Sequence, residues 1–425
     1  MIEINPRGKM VEKALLVSAY ELKSCKETAQ SLLSELEELV ETLGVPISDR
    51  MLVPMREVHA RYLLGSGKAE EIAQRIQAEG IDALVFDNEL TPSQQRNWEA
   101  LTKVAVLDRQ EVILDIFAQR AQTHEARLQI ELARLEYALP RLTRAWGHLV
   151  RQGGGIGAKG EGESQLEQDK RRIRVAIGRL KAELEKVRSA RSTQRKDRKR
   201  APVPNAAIVG YTNAGKSSLL RRLTGANVLV EDKLFATLDT TTRKVALPNN
   251  QPLLLTDTVG FVRRLPHRLV ESFRATLEES VLSDFLIHVL DASQPEVLTF
   301  HDTTMEVLGD LGAEEKRMIL VFNKIDKVEP PAALDPIRRR FPGAHFVSVH
   351  TGEGIDGLLE HMAEEVSGEA RICKLQIPVS QGGKLARLHR SAKVLHTEYA
   401  DDLVCVTAVL PARLAADYSA FIQEN

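Results

Sequence analysis

Between Gly210 and Ser217 the chain reads Gly-Tyr-Thr-Asn-Ala-Gly-Lys-Ser, the G-x-x-x-x-G-K-S spacing of a phosphate-binding loop. The apolar run Asn205–Val209 precedes it and the helical run from Ser217 to Leu223 follows. A buried strand that passes through a glycine loop into a helix belongs to an open, mostly parallel sheet with its ligand at the strand ends. Two further motifs follow in order. Asp257-Thr-Val-Gly260 ends the apolar run Pro252–Thr256, and Asn323-Lys-Ile-Asp326 ends Met318–Phe322. Together the D-x-x-G and N-K-x-D spacings imply a guanine-nucleotide site.

Each residue type suits a task. The loop would aim backbone N–H groups and the positive helix end at phosphate oxygens. Gly210 and Gly215 allow close approach of the main chain, and Tyr211, Thr212, Asn213 and Ala214 complete the wrap. Lys216 would neutralise the β- and γ-phosphates, and Ser218 is placed to reach the α-phosphate. The Ser217 hydroxyl would bind Mg²⁺, a hard cation that takes oxygen ligands, and Asp257 would hold it through water. The Gly260 N–H would meet the γ-phosphate, so this loop can sense its loss. A first switch belongs in Leu234–Thr242, where Phe235 and Thr237 are expected against the nucleotide. Thr237 is the choice for the Mg²⁺-binding threonine, and Thr241 is the alternative. Lys216, Thr237 and Gly260 are the residues expected to act in catalysis.

Base choice rests on Asp326, whose carboxylate can accept from guanine N1–H and the 2-amino group, donors that adenine lacks. Asn323 is expected at the base edge, with the Lys324 stem on the base face. Ser348-Val349-His350 follows the short strand Ala344–Val347 and is read as the fifth element, giving a backbone N–H to guanine O6; a plain surface turn is the other reading. The residue after Gly260 is Phe261, where many GTPases carry a glutamine that orients water. Unassisted turnover is therefore expected to be slow. Asn213 resembles the asparagine of GTPases that bind K⁺ beside the phosphates, although its turn preference explains it as well. Arg243, Arg263 and Arg264 lie near the switches and read as surface contacts.

A chain of 425 residues accommodates two to four domains. Its net charge of −1 gives no global bias towards nucleic acid, and no apolar run approaches the ~18 residues of a membrane span. Cys25, Cys373 and Cys405 are odd in number and far apart, which suits a reducing cytoplasm, and Met-Ile-Glu-Ile-Asn-Pro shows no secretory pattern.

Residues 1–118 alternate as α/β: strands at Ala14–Tyr20, Val58–Leu64, Ala83–Asp87 and Val104–Leu107, helices at Thr28–Thr42, Lys68–Ala78 and after the Thr91 cap. Gly65-Ser-Gly-Lys68 is either a second phosphate loop or a turn into a helix. Residues 119–200 hold two long helical patterns, Thr123–Leu149 with a break at Pro140, and Gln165–Ala190. Between them Gly153–Gly162 carries six glycines in ten residues, a projecting tip with little side chain to pack. Residues 151–200 hold 16 Lys/Arg against seven Asp/Glu, and the run Arg195–Arg200 leads through Ala-Pro-Val-Pro as a linker. This suits contact with RNA phosphates, against a solvated helix face. Tyr137, Trp146 and His148 either stack on bases or pack in a core. Residues 201–368 form the nucleotide domain, and 369–425 a small appended α/β unit.

The chain resembles the HflX family of ribosome-associated GTPases over nearly its whole length. The resemblance rests on Gly210–Ser217, Leu234–Asp239 and Asp257–His267, and, outside the nucleotide domain, on Leu114–Ala121, Leu128–Ala133, Gly154–Gly157 and Glu163–Glu167. It implies a P-loop GTPase, doubly wound and mostly parallel, with an N-terminal α/β subdomain, a long helical hairpin and a small C-terminal α/β domain. It also implies GTP and GDP as ligands, Mg²⁺ as cofactor, and the large ribosomal subunit and its rRNA as partner through the glycine-tipped hairpin. Splitting or rescue of stalled ribosomes under stress, with hydrolysis stimulated by the ribosome, is the implied role, in a cytoplasmic monomer. The tip departs from the family pattern: Lys159 stands for its arginine and Glu161 for its proline. A nucleotide-dependent ribosome- or rRNA-binding switch with incidental hydrolysis is the alternative, and ATP-driven RNA remodelling through Gly65–Lys68 a third.

Overall fold

The computed structural model describes residues 11–23, 25–142, 161–198, 203–225, 234–235, 237–248, 251–264, 280–367, 371–400, 402–410, 415 and 417–423. Its contacts divide the chain into two compact units. The first comprises Met1–Ser189, Lys233–Phe235 and Arg263–Phe273, and the second Ala190–Asp232, Ala236–Val262 and Arg274–Asn425.

The first unit is built on a parallel four-stranded sheet in the order β2-β1-β3-β4, from β1 (Ala14–Glu21), β2 (Ile47–Met55), β3 (Ala83–Phe86) and β4 (Ala105–Asp108). Helices α1 (Lys26–Thr42), α2 (Ser66–Glu79) and α3 (Pro92–Thr102) connect the strands. The β1 run Ala-Leu-Leu-Val-Ser-Ala is buried throughout, as befits a central strand covered on both faces. Thr91 caps α3 in a reciprocal box with Gln94, and buried Trp98 donates its indole N–H to the Tyr62 carbonyl at 2.8 Å.

The strand expected at Val58–Leu64 is instead a tight loop with bridges His59–Leu63 and Tyr62–Leu64. The strand lies earlier, at Ile47–Met55, where Ser48, Asp49, Arg50 and Pro54 obscure it. An edge position explains this, since one side makes no ladder bonds and tolerates proline and charge. Gly65 is the N-cap of α2 and Lys68 pairs with Glu71, which favours the helix turn over a second phosphate loop.

After α4 (Arg109–Arg120), α5 (His124–Ala138) runs into a tight turn at Leu139–Arg141 and stops, because Pro140 and the residues around it tighten the last turn. This is the break expected at Pro140; the rest of the expected pattern to Leu149, with Trp146, His148 and the tip Gly153–Gly160, lies outside the described residues. Tyr137 is buried and donates its hydroxyl to Asp108 at 3.0 Å, a core role. Helix α6 (Glu161–Arg198) extends beyond the expected Gln165–Ala190, so the basic run is partly helical. Its Leu180 and Leu184 pack on Leu128 and Leu132 of α5.

Also in the first unit, Glu35 of α1 is buried among charges. Its Oε1 accepts from Arg109 (2.6 Å) and from the Arg263 N–H (3.3 Å), and its Oε2 from Arg263 Nε (2.8 Å). Arg109 reaches Asp87 (2.9 Å), which also accepts from Arg264 (3.0 Å). Arg263 is therefore no surface contact: it is 8% exposed.

The second unit carries a six-stranded sheet in the order β10-β9-β8-β5-β7-β6. These are β5 (Asn205–Gly210), β6 (Thr241–Ala246), β7 (Pro252–Asp257), β8 (Phe285–Asp291), β9 (Met318–Asn323) and β10 (His345–Phe346). All pairings are parallel except β6 with β7. Helices α7 (Lys216–Thr224), α8 (Val297–Asp310), α9 (Asp335–Arg340) and α10 (Ile355–Ser367) follow the expected runs, with α9 unforeseen. Strand β6 was also hidden: Thr-Thr-Arg-Lys-Val-Ala is polar because it forms an edge, burying only Val245. Residues 371–410 form an antiparallel sheet β11-β13-β12, with β11 (Arg371–Pro378), β12 (Lys393–Ala400) and β13 (Leu403–Leu410). Helix α11 (Gly382–Ser391) covers one face through Leu388. Among the described residues, each of the segments 1–118, 119–200, 201–368 and 369–425 holds an apolar cluster of its own. No described helix is long and apolar enough to cross a membrane.

Candidate nucleotide site

The site forms at the C-terminal ends of β5, β7, β8 and β9 in the second unit. The phosphate loop leaves β5 at Gly210 and enters α7 at Lys216. Asn213 takes the left-handed conformation at φ +58°, and Gly215 follows at φ +96°. A Cβ on Gly215 would lie 2.2 Å from Asn323 Nδ2, so only glycine fits between the loop and that motif. The D-x-x-G loop zips onto it: Phe261 donates its N–H to the Gly210 carbonyl (3.1 Å), and Thr212 donates to the Phe261 carbonyl (2.8 Å). Gly260 is pressed so near that a Cβ would meet the Thr212 Cα at 2.8 Å and Lys216 Nζ at 2.9 Å. Two loops expected to grip phosphate from either side are thus joined by backbone before any ligand is considered.

Lys216 is buried and donates to the Tyr211 carbonyl at 2.7 Å. Burial pulls its ammonium down to about 8, and the Asp257 carboxylate opposes that shift. Three oxygen-bearing side chains converge beside it. Asp257 Oδ2 accepts from Ser217 (2.6 Å) and from Thr237 (3.1 Å), whose hydroxyls are 2.7 Å apart. The other carboxylate oxygen, Oδ1, is buried without a hydrogen-bond partner, as is the Thr212 hydroxyl. Burial raises the Asp257 carboxyl, with Lys216 and the two hydroxyls acting against it. Hydroxyl and carboxylate oxygens with no nitrogen or sulfur suit a hard divalent cation. Thr241 opens the edge strand β6, opposite Asp257 in register, and makes no bond in this cluster. Of the two candidate threonines the geometry favours Thr237.

On the base side Asp326 sits exposed on the short turn Ile325–Lys327. Lys324 adopts φ +62° and pairs with Asp291 Oδ2 at 2.8 Å. Asp291 ends β8, a position where α/β sheets place functional groups, and the expected site did not include it. Asn323, expected at the base edge, has both amide ends engaged with the chain: Nδ2 donates to the Ala214 carbonyl (3.0 Å) and Oδ1 accepts from the Val349 N–H (3.1 Å). It therefore splices the phosphate loop to the fifth element. Ser348 is buried, its N–H donating to the Glu353 carbonyl (3.0 Å) and its hydroxyl accepting from Thr351 (3.1 Å). The N–H groups of Ser348 and Val349 are committed to the chain, and His350 is exposed.

Three aromatic side chains near the site are held by apolar packing. The Tyr211 ring stacks on Phe300 at 4.1 Å, so only its backbone faces the loop. Phe235 belongs to the first unit and packs edge-on against Phe117, with ring centres 4.6 Å apart. Phe261 is buried and apolar, which leaves no side chain there to orient water.

Three family models match in succession: one described as GTP-binding GTPase N-terminal over residues 10–118, one as GTP-binding GTPase Middle Region over 120–198, and one as 50S ribosome-binding GTPase over 205–324. The chain is 49% identical over 437 residues to a GTPase HflX of Akkermansia muciniphila, covering all of both chains. It is 41% identical over 380 residues to the GTPase HflX of Escherichia coli K12, covering 89% of this chain and 88% of that one. A solved structure described as a complex of SsGBP with GDP aligns over 84% of this chain and 98% of its own, at 26% identity and a TM-score of 0.49. With the phosphate loop, the convergent oxygens and the guanine motif assembled on one sheet, and full-length relatives at such identity, the chain belongs to the HflX family of GTPases.

Proposed function

We propose that this GTPase works on the large ribosomal subunit, splitting or rescuing stalled ribosomes, with hydrolysis stimulated by that partner. The observation that carries the nucleotide chemistry is the convergence of Ser217, Thr237 and Asp257 within hydrogen-bond distance of one another. These three would hold Mg²⁺, Ser217 and Thr237 directly and Asp257 through water. The ion held there would supply positive charge beside the phosphates. Lys216 would leave the Tyr211 carbonyl for the phosphates, regaining the full charge that burial takes from it. The Gly260 N–H would meet the γ-phosphate, and Asp326 would read guanine. Exposed Asn213 would add a K⁺ ligand beside the phosphates.

With Phe261 in place of a water-orienting residue, the free protein should turn over slowly. A ribosomal group would complete the site. Helix α6 supports the RNA contact: Arg171, Arg172, Arg174 and Arg179 are exposed along it, and the pairings Arg172–Asp169 and Arg174–Glu167 are long at 3.6 and 3.5 Å. The chain would act as a cytoplasmic monomer of four segments, 1–118, 119–200, 201–368 and 369–425. Its cysteines Cys25, Cys373 and Cys405 are all free, as a reducing compartment requires.

GTP hydrolysis measured in K⁺ and in Na⁺, alone and with purified large subunits, tests this. Stimulation by subunits is expected. Turnover unaffected by any ribosomal particle would sink ribosome-timed hydrolysis. It would favour the second reading, a nucleotide-dependent ribosome-binding switch, which the buried Phe261 also supports.

A further inference from the structure

His345 and His361 are ligating side chains that the nucleotide chemistry does not use. His345 lies on β10, the edge strand of the six-stranded sheet, and His361 midway along α10. Successive residues of a strand point to opposite faces. Phe346 accordingly stacks on Phe322, with 5.1 Å between ring centres, while the His345 ring turns to His361, at 5.0 Å. Nε2 of His345 and Nδ1 of His361 are 2.7 Å apart, and both residues are half-buried. The backbone under them is fixed. Leu358 and Met362 of α10 are fully buried in the core cluster that also holds Val347. Two elements of one packed layer therefore aim a ring nitrogen each at the same point.

A shared proton accounts for the contact but leaves the neighbouring carboxylate unused. Glu364 stands one turn beyond His361 on the same face of α10, is exposed, and acts on His345 through its charge. Burial first, and then the charge of His361, hold His345 below the ordinary histidine range, with Glu364 opposing. At neutral pH His345 is thus an uncharged imidazole, the form that binds metal. Two nitrogens on one tetrahedral zinc ion sit about 3.3 Å apart, so the rings need part by only about 0.6 Å, which small side-chain rotations provide. Imidazole nitrogens suit zinc, copper or nickel, whereas magnesium and calcium take oxygen ligands.

We propose that His345 and His361, with Glu364, form a binding site for a divalent transition metal ion of the zinc class, sharing no residue with the Ser217–Thr237–Asp257 cluster. No three ligating side chains stand assembled among the described residues, so Glu364 swings in as the third ligand and water completes the shell. The two histidines are 16 residues apart in the chain and enclose Ser348–His350. An ion between them closes that loop and reduces its freedom.

The test is Zn²⁺ binding to the full chain without an affinity tag, in excess Mg²⁺, measured by competition with a chromogenic chelator and by thermal unfolding. The unmodified chain should take Zn²⁺ from the chelator and unfold at a higher temperature with the ion than without it. His361→Ala, at a half-buried position, should weaken this site by about thirtyfold or more and abolish the rise. Glu364→Gln should weaken it about three- to tenfold. Zinc affinity unchanged in His361→Ala would overturn the proposal, as would an unmodified chain that takes up no zinc. Should His361→Ala fail to fold, crystals of the unmodified chain grown with Zn²⁺ decide the matter. An anomalous-scattering peak between the two rings is expected, and peaks only elsewhere, at the cysteines or at Asp257, count against the site.

Discussion

Two buried carboxylates in this molecule live in opposite circumstances. Asp257 in the second unit is met by two hydroxyls on one oxygen, and the other oxygen is buried with no partner. Glu35 in the first unit is met by Arg109 and by the side chain and backbone of Arg263. A carboxylate surrounded by hydroxyls remains able to attract a cation, and a carboxylate saturated by guanidinium groups is structural cement. The same side-chain chemistry therefore leaves a candidate ligand site in one region and a structural anchor in the other. What separates them is direct bonding: Lys216 acts on Asp257 through its charge while donating to the Tyr211 carbonyl, whereas guanidinium groups bond both oxygens of Glu35.

The largest effect expected from breaking this comparison lies at the base. Asp326→Asn should lower GTP affinity by roughly a hundredfold or more and open the site to xanthosine nucleotide, since the amide presents a donor where guanine also donates. Competition binding with both nucleotides checks this. Next comes the oxygen cluster. Thr237→Ala should reduce kcat by about ten- to hundredfold with GDP affinity little changed, whereas Thr241→Ala should behave as the parent. A loss in Thr241→Ala with Thr237→Ala behaving as the parent would return the metal ligand to the alternative threonine.

Lys216 gives a pH signature. Its free ammonium sits near pH 8, and phosphate must raise it. Nucleotide affinity is then fully present below pH 8 and declines as pH rises through 8, with proton uptake on binding near pH 8.5. Calorimetry in two buffers of different ionisation heat should show uptake of up to about one proton there and much less at pH 6.5. Absence of uptake would mean that Lys216 is charged before the nucleotide arrives.

The smallest effect concerns stability. Buried His288 on β8 is pushed down to about 3, first by burial and then by His301 and Lys216. A depressed histidine costs nothing above its unfolded value near 6.5 and increasingly destabilises the fold as pH falls towards 3. At pH 5 the cost is about 2 kcal/mol, so His288→Phe should flatten the acid limb of a denaturation series if the ring is accommodated.

The nucleotide site was legible because its chemistry is local. Gly210–Ser217, Asp257–Gly260 and Asn323–Asp326 each carry their function within a few residues, at the ends of buried strands whose apolar runs announce themselves. The edge strands were not legible: β2 and β6 bury little and carry charge or proline, so they look like loops until a neighbour pairs with them. Pro140 marked a break, and a tight turn stands there.

By itself the sequence determined the buried strands that carry the motifs, the guanine motifs and the family, because backbone geometry around phosphate leaves few alternatives at those positions. Only the tertiary structure decided which threonine joins Asp257, that Asn323 splices two loops, and that Arg263 is buried on Glu35 across 228 residues of chain. Such pairings depend on which elements fold side by side, and a carboxylate or an arginine carries no mark of its distant partner until burial makes an unpaired charge too costly to leave.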